Sequence, residues 1–188
     1  MLFRSLAGRA VNSENAGGDP TKWTPVFNAV IQTNTTSPIY SATNTRVTIQ
    51  DVGNARIQTT APSFAILPRT PLVLTGVAAR LTGPATTTVT STQFTGISKR
   101  VRPVIRWKTW NQTVIKEERP PYEIIFAAVN TTTYLGPNAA ASTAGTWETA
   151  PAPANAYYFD VIWEFMYMDG SDIVDVDMSD LRSEEHTS

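Results

Sequence analysis

One stretch of this chain constrains its fold more than any other. Between residues 157 and 168, Tyr157, Phe159, Val161, Trp163, Phe165 and Tyr167 recur at every second position, with Asp160 and Glu164 between them. A helix would scatter these aromatics around its circumference, whereas a strand puts them on one face. At about 3.3 Å per residue such a strand spans roughly 40 Å, so it needs a large apolar partner surface.

The rest of the chain supplies that partner in short pieces. Thr is the commonest residue, and thirteen Pro and ten Gly punctuate brief Thr/Val/Ile segments. This is the composition of an all-β sandwich or barrel. Strands are predicted at 26–32, 46–50, 55–59, 64–67, 72–82, 86–94, 101–110 and 122–129. A short terminal strand carries Ile173, Val174 and Val176. Residues 51–54 have the chemistry of a tight hairpin turn. In 72–82 the alternation places Val73, Thr75, Val77, Ala79 and Leu81 on one face, and Gly76 marks a bulge or a close backbone approach. Residues 86–94 carry little apolar surface and fit an exposed edge strand. The segment 122–129 is apolar on both faces and fits a central strand. Residues 136–156 read as one long Ala/Pro/Thr/Gly-rich loop containing Trp147, and loops of that length are usually functional or mobile. No segment has a helical period. The fold class expected is an antiparallel β-sandwich, jelly-roll-like, with little helix.

Both ends of the chain look foreign to the sequence between them. Residues 1–5 and 182–188 are what a common short-read sequencing adapter encodes when read in opposite directions, so both are expected to be adapter-derived and to add little to the core. The organisation expected is then an irregular arm at 6–24 and a single β-sandwich at 25–181, read as a truncated environmental sequence fragment. His186, the only histidine, lies in the suspect tail, and the chain has no cysteine. Without them, Ser-His-Asp and Cys-His nucleophile arrangements and ordinary zinc sites are excluded. Glu117 and Glu118 are adjacent, and on a strand adjacent side chains point to opposite faces, so they cannot flank one bond as a catalytic pair. No enzyme and no cofactor are expected. No apolar run approaches the roughly 20 residues that a membrane-spanning helix needs.

Three features carry candidate chemistry. Arg100, Arg102, Arg106 and Lys108 interleave with Trp107 and Trp110, and same-face alternation makes Arg102, Arg106, Lys108 and Trp110 a contact strip for phosphates, bases or sugars. The alternative is an ordinary outward strand face. Trp110 and Trp147 are the residues available for stacking on a ligand. Asp169, Asp172, Asp175, Asp177 and Asp180 form a carboxylate cluster, either a hard-cation site or a solvated acidic turn; its spacing misses the pattern of a helix–loop–helix calcium loop. The charge is also uneven. From Leu6 to Arg119 there are thirteen Lys/Arg against five Asp/Glu, and from Pro120 to Leu181 nine acidic residues and no basic one. Either the two parts attract each other within one sandwich or face different solvent surfaces, or the basic surface of one subunit meets the acidic surface of the next.

The Thr-rich strands, the Pro-rich loops, the irregular arm and the long aromatic final strand together resemble the jelly-roll capsid proteins of small icosahedral viruses. The resemblance implies eight strands in two sheets, self-assembly into a homo-oligomeric shell, a virion location and contact with viral nucleic acid. The arm departs from that pattern, since Glu14 and Asp19 offset Arg9 and Lys22. The rival expectation is a β-sandwich module of a microbial or phage surface protein, extracellular or at the cell surface, with a glycan ligand.

Overall fold

The computed structural model of the protein describes residues 20–34, 44–136, 145–178 and 180–183. Two antiparallel sheets face each other across one apolar core, and the only helical element among the described residues is a single 3-10 turn, Pro20–Lys22. The strands are β1 (Trp23–Phe27), β2 (Ala29–Asn34), β3 (Asn44–Ile49), β4 (Gly53–Thr59), β5 (Phe64–Ala65), β6 (Leu72–Leu81) and β7 (Arg100–Lys108). Then follow β8 (Val114–Glu118), β9 (Ile124–Ile125), β10 (Thr132–Tyr134), β11 (Gly145–Glu148), β12 (Tyr158–Met168), β13 (Ile173–Asp177) and β14 (Asp180–Ser183). The first sheet runs β1-β4-β12-β7-β8, with β5 on β12 and β9 on β7; the second runs β10-β6-β13-β3-β2, with β11 and β14 also on β6. The fold is the jelly-roll-like antiparallel sandwich that the alternation predicts.

β12 lies at the centre of the first sheet for the reason its sequence gives. Phe159, Val161, Trp163 and Phe165 are fully buried in the core, with Val101, Ile105 and Trp107 of β7 and Ala55 and Ile57 of β4 beside them. The aromatic face ends one step early. Tyr167 has a φ of 57°, and the pairing of β12 with β4 slips between Phe165 and Met168. This bulge turns Tyr167 out and drops Met168 into the core in its place.

β6 holds the second sheet in the same way, with a break of its own. Gly76 has a φ of 69°, and the β11 register skips it, so that Gly145 faces Val77 and Thr146 faces Thr75. The bulge expected at Gly76 is present, and it reverses the alternation. Leu72 and Leu74 point into the core before it and Val77, Ala79 and Leu81 after it, so the expected face is correct only for its C-terminal half.

Several sequence expectations are corrected. Residues 26–32 form two strands because Asn28, with a φ of 52°, breaks them, and Trp23 and Thr24, assigned to the arm, already belong to β1. The Asp51–Asn54 turn is no hairpin: β3 pairs in the second sheet and β4 in the first, so the chain crosses between them there. Residues 86–94 form a loop with a single bridge, Thr88 to Ser98, because neither face has enough apolar surface to dock on a sheet. Residues 122–129 pair only at Ile124 and Ile125, on the end of β7. The long loop contains β11, which pairs with β6. At the C-terminal end, Arg182 and Ser183 extend the β14 ladder opposite Val73 and Leu72. Ladder hydrogen bonds need no particular side chains, which is how residues with an adapter-like sequence can continue a strand. Leu181 is the last residue of the apolar core cluster. Residues 1–5 and 184–188 lie outside the described residues, as does 6–19 of the expected arm.

Candidate functional site

The outer face of the first sheet is the reverse of its aromatic core. Along β7 and β12 the even-numbered positions point away from the core, which puts Arg100, Arg102, Arg106 and Lys108 beside Asp160 and Glu164. Arg56 of β4 and Glu117 of β8 flank them, and Arg119 and Glu123 follow β8 in the chain. Glu164 accepts from Arg102 Nε at 2.8 Å, Arg119 Nε at 3.3 Å and the guanidinium of Arg56. Glu117 accepts from Arg106 Nη2 at 2.8 Å, Arg119 Nη2 at 2.7 Å and Arg56 Nη1 at 3.2 Å. Glu123 takes Arg100 Nη1 at 2.8 Å and Arg102 Nη1 at 2.7 Å, and Lys108 Nζ lies 2.6 Å from Asp160. The result is a connected lattice of five arginines and three glutamates across four strands, with the Lys108–Asp160 pair beside it on the same face.

The protonation chemistry follows from this crowding. Burial alone would raise the Glu164 carboxyl, but the hydrogen bonds from Arg56, Arg102 and Arg119 outweigh it and hold Glu164 down at about 2. Burial also opposes ionisation of Glu117, and Arg106, Arg56 and Arg119 overcome it, so its pKa is lowered. The outer face is thus a fixed pattern of charged donors and acceptors. Val104, Ile162 and Met166 lie on the same face and are buried between these side chains, an arrangement in which aliphatic stems shield apolar surface while the charged heads pair.

Trp110 stands at one end of this face. The β7–β8 hairpin closes through Gln112 N donating to Thr109 O at 3.0 Å and Thr109 N donating to Thr113 O at 2.9 Å. Gln112 takes a φ of 67°, as expected of a type I turn followed by a left-handed residue. Trp110 projects from this hydrogen-bonded turn with 74% of its surface exposed, the most open of the large hydrophobic side chains among the described residues. Gln112 Oε1 accepts from Ser63 Oγ at 3.1 Å, and Ser63 Oγ accepts from Lys108 Nζ at 3.0 Å, so the turn is tied to the Lys108–Asp160 pair. Ser63 also lines a cleft of about 410 Å³ between the 3-10 turn and the Thr59–Ala65 segment. At the opposite end a groove of about 430 Å³ is bounded by Arg102, Pro120, Tyr122, Glu123 and Ile125, with Tyr122 45% exposed.

The other predicted site residues lie elsewhere. Trp147 sits on β11 with 6% exposure and packs in the core, so it offers no open ring face; its alternation with Gly145 was hidden inside a stretch that reads as loop. The acidic cluster is split among partners. Asp172 Oδ1 and Asp169 Oδ2 clasp the fully buried Lys99 ammonium at 2.9 and 3.1 Å. Asp169 also accepts from Thr90 N, Thr90 Oγ1 and Ser91 N, which pins the 84–99 connection to the β12–β13 turn. Burial pushes the Asp172 carboxyl up. Burial opposes ionisation of Asp169, but Thr90, Lys99 and Ser91 outweigh it and bring its carboxyl down. Asp175 forms a two-point pair with Arg46 at 2.7 and 2.9 Å, and Asp177 Oδ1 accepts from Met178 N. Among the described residues no group of three or more His, Cys, Asp or Glu is placed to hold a metal ion. Much of the uneven charge along the chain is paired within one subunit: Arg46, Arg56, Lys99, Arg100, Arg102 and Lys108 of the basic part meet Asp175, Glu164, Asp169, Asp172, Glu123 and Asp160 of the acidic part.

Sequence reasoning missed Arg56, Glu117, Arg119, Glu123 and Tyr122 as members of this face. The run Lys116-Glu117-Glu118-Arg119 was the available signal, since alternating charges beside a basic strand are what a paired edge strand would carry. Glu117 and Glu118 do diverge: Glu118 accepts from Trp107 Nε1 at 3.0 Å while Glu117 joins the outer lattice.

No family model matches the chain, and no curated protein matches it by sequence. Solved structures do match by shape. The complex of the N-terminal modules of Clostridium thermocellum endo-1,4-beta-D-xylanase 10B with xylohexaose superposes with a TM-score of 0.58 at 7% identity. The match covers 92% of this chain but only 28% of that one. The xylan-binding domain of Paenibacillus barcinonensis Xyn10C gives 0.56 at 7% identity, with 98% of this chain and 100% of that chain covered. The enzymatically active domain of bacteriophage CBA120 tailspike protein 4 gives 0.53 at 14% identity over 90% of this chain and 21% of that one. At such identities the likeness establishes the β-sandwich and nothing finer.

Proposed function

We propose that this chain is a non-catalytic glycan-binding module of an extracellular or surface protein, and that it binds through the outer face of the β12–β7 sheet. The observation that carries this reading is Trp110. A tryptophan 74% exposed on a hydrogen-bonded turn holds an apolar platform in water before any ligand arrives. Ordering such a ring in advance lowers the entropic cost of binding. Around it, Gln112, Ser63, Lys108 and Asp160 provide the few converging polar groups that orient a hydroxylated ligand. The fold shared with xylan-binding modules supports the same reading.

Retention of the protein on soluble polysaccharides in native affinity gels is the test. The wild-type chain is expected to be retarded by at least one polysaccharide, and Trp110→Ala to lose most of that retardation with an unchanged melting temperature. Equal retardation of the two proteins contradicts the assignment of the face.

The rival is a self-assembling shell subunit, favoured by the capsid-like sequence pattern and by the jelly-roll-like sandwich. Sedimentation over a wide range of salt and pH separates the two: closed particles favour the shell, a persistent monomer the binding module.

A further inference from the structure

The charge of the outer face goes beyond a general affinity for sugars. We infer that the ligand is an acidic polysaccharide, a chain of sugars carrying carboxylates, lying along β7 between Trp110 and Tyr122. This inference rests on the glycan-binding reading above.

The argument begins with charge. Six cations and four carboxylates leave two uncompensated positive charges on this one face, while the whole chain carries a formal net charge of −1. The rest of the molecule is therefore negative, and the outer face is where an anion is drawn. Among the described residues, Nη2 of Arg100, Nη2 of Arg102 and Nη1 of Arg119 receive no carboxylate, although the other nitrogens of each are engaged. These guanidiniums are held in place by their existing pairs and keep an edge for another acceptor.

Length supplies the second step. From Arg102 to Lys108 is six strand steps, roughly 20 Å, and Trp110 stands on the turn just beyond. Trp110 and the cleft beside Ser63 stand at one end of that line, and the groove at Tyr122 and Arg102 at the other. Two aromatic rings at the two ends of a charged floor suit an extended chain better than a small ligand.

The third step separates an acidic glycan from nucleic acid. The floor is mixed, with Glu117, Glu123, Glu164 and Asp160 among the cations. A polysaccharide with carboxylates offers both hydroxyl donors for these acceptors and anions for the arginines. A nucleic-acid backbone carries one charge per roughly 3.4 Å of strand and offers the carboxylates few donors, so it would meet four like charges.

The experiment is titration calorimetry of the full chain with an oligogalacturonate hexamer, with xylohexaose and with single-stranded oligothymidylate. Each is run near 0.01 M and near 1 M salt, where the screening length is about 30 and about 3 Å. The expected result is that the oligogalacturonate binds at least about tenfold more tightly than xylohexaose at low salt, with the gap closing at high salt. Arg100→Gln and Tyr122→Ala are each expected to weaken it several-fold, with circular dichroism confirming that both fold. Equal affinity for the two hexamers overturns the acidic specificity and leaves the glycan-binding reading standing. Unchanged oligogalacturonate binding in both variants overturns the proposed placement. Tighter binding of oligothymidylate overturns the ligand class. No binding of any sugar at either salt overturns this inference together with the reading it rests on.

Discussion

The two faces of β12 are built from alternate residues of the same eleven-residue strand, yet they obey different physics. The inner face, Phe159, Val161, Trp163 and Phe165, is specified residue by residue: each side chain removes apolar surface from water whatever its exact neighbour is. The outer face, Asp160 and Glu164, is specified only in combination. Glu164 has no value without Arg56, Arg102 and Arg119, which come from three distant parts of the chain. One face secures the fold, and the other presents a pattern to solvent.

That contrast can be broken by measurement. The largest effect is expected inside. Phe165→Ala leaves a cavity at a site with no exposure and should cost about 3–5 kcal/mol in urea denaturation. A cost below that of the outer-face variants would erase the distinction between the faces. Lys99→Met comes next. It leaves Asp169 and Asp172 facing each other without their cation, and truncating one side of a buried ion pair costs about 3 kcal/mol or more. Protection of the Thr90 and Ser91 amides from hydrogen exchange should fall with it, because both donate to Asp169.

Glu164→Gln is expected to be milder, about 2 kcal/mol at neutral pH once solvent screening is allowed for. Its signature is in the pH dependence. The folded-state pKa of Glu164 is depressed to about 2 from an ordinary 4.5. Its contribution is therefore fully present above about pH 4.5 and is lost as pH falls toward 2. Urea midpoints measured across that window should converge for the wild type and the variant, and curves that stay parallel would contradict the lattice. The smallest stability effect belongs to Trp110→Ala, within about 0.5 kcal/mol, because the ring is mostly in water.

The inner face was legible in the sequence and the outer face largely was not, for the same reason. Alternation identifies buried positions one at a time, so β12, β7 and the bulge at Gly76 could be read directly. It fails where the backbone slips: strict alternation puts Tyr167 on the aromatic face of β12 and leaves Leu72 and Leu74 off the core face of β6. Short strands stabilised by a neighbour carry too little pattern of their own. β8, β10 and β11 went unread for that reason, and Trp147 passed for a loop residue although it packs in the core. On the outer face, Arg100, Arg102, Arg106, Lys108 and Trp110 could be named from one strand. Their pairing with Glu117, Glu123, Asp160 and Glu164 depends on which strands lie side by side, and only the folded sheet shows that.

Tryptophan fluorescence tests the division of labour between the two faces most directly. Trp23, Trp107, Trp147 and Trp163 are each at most 6% exposed, and Trp110 is 74% exposed. Acrylamide should therefore quench one accessible component, absent in Trp110→Phe, and a bound acidic hexasaccharide should shield that component while the buried four do not respond. A ligand that binds without shielding Trp110, or that shifts the buried tryptophans instead, would show that the outer face is not where this protein meets its ligand.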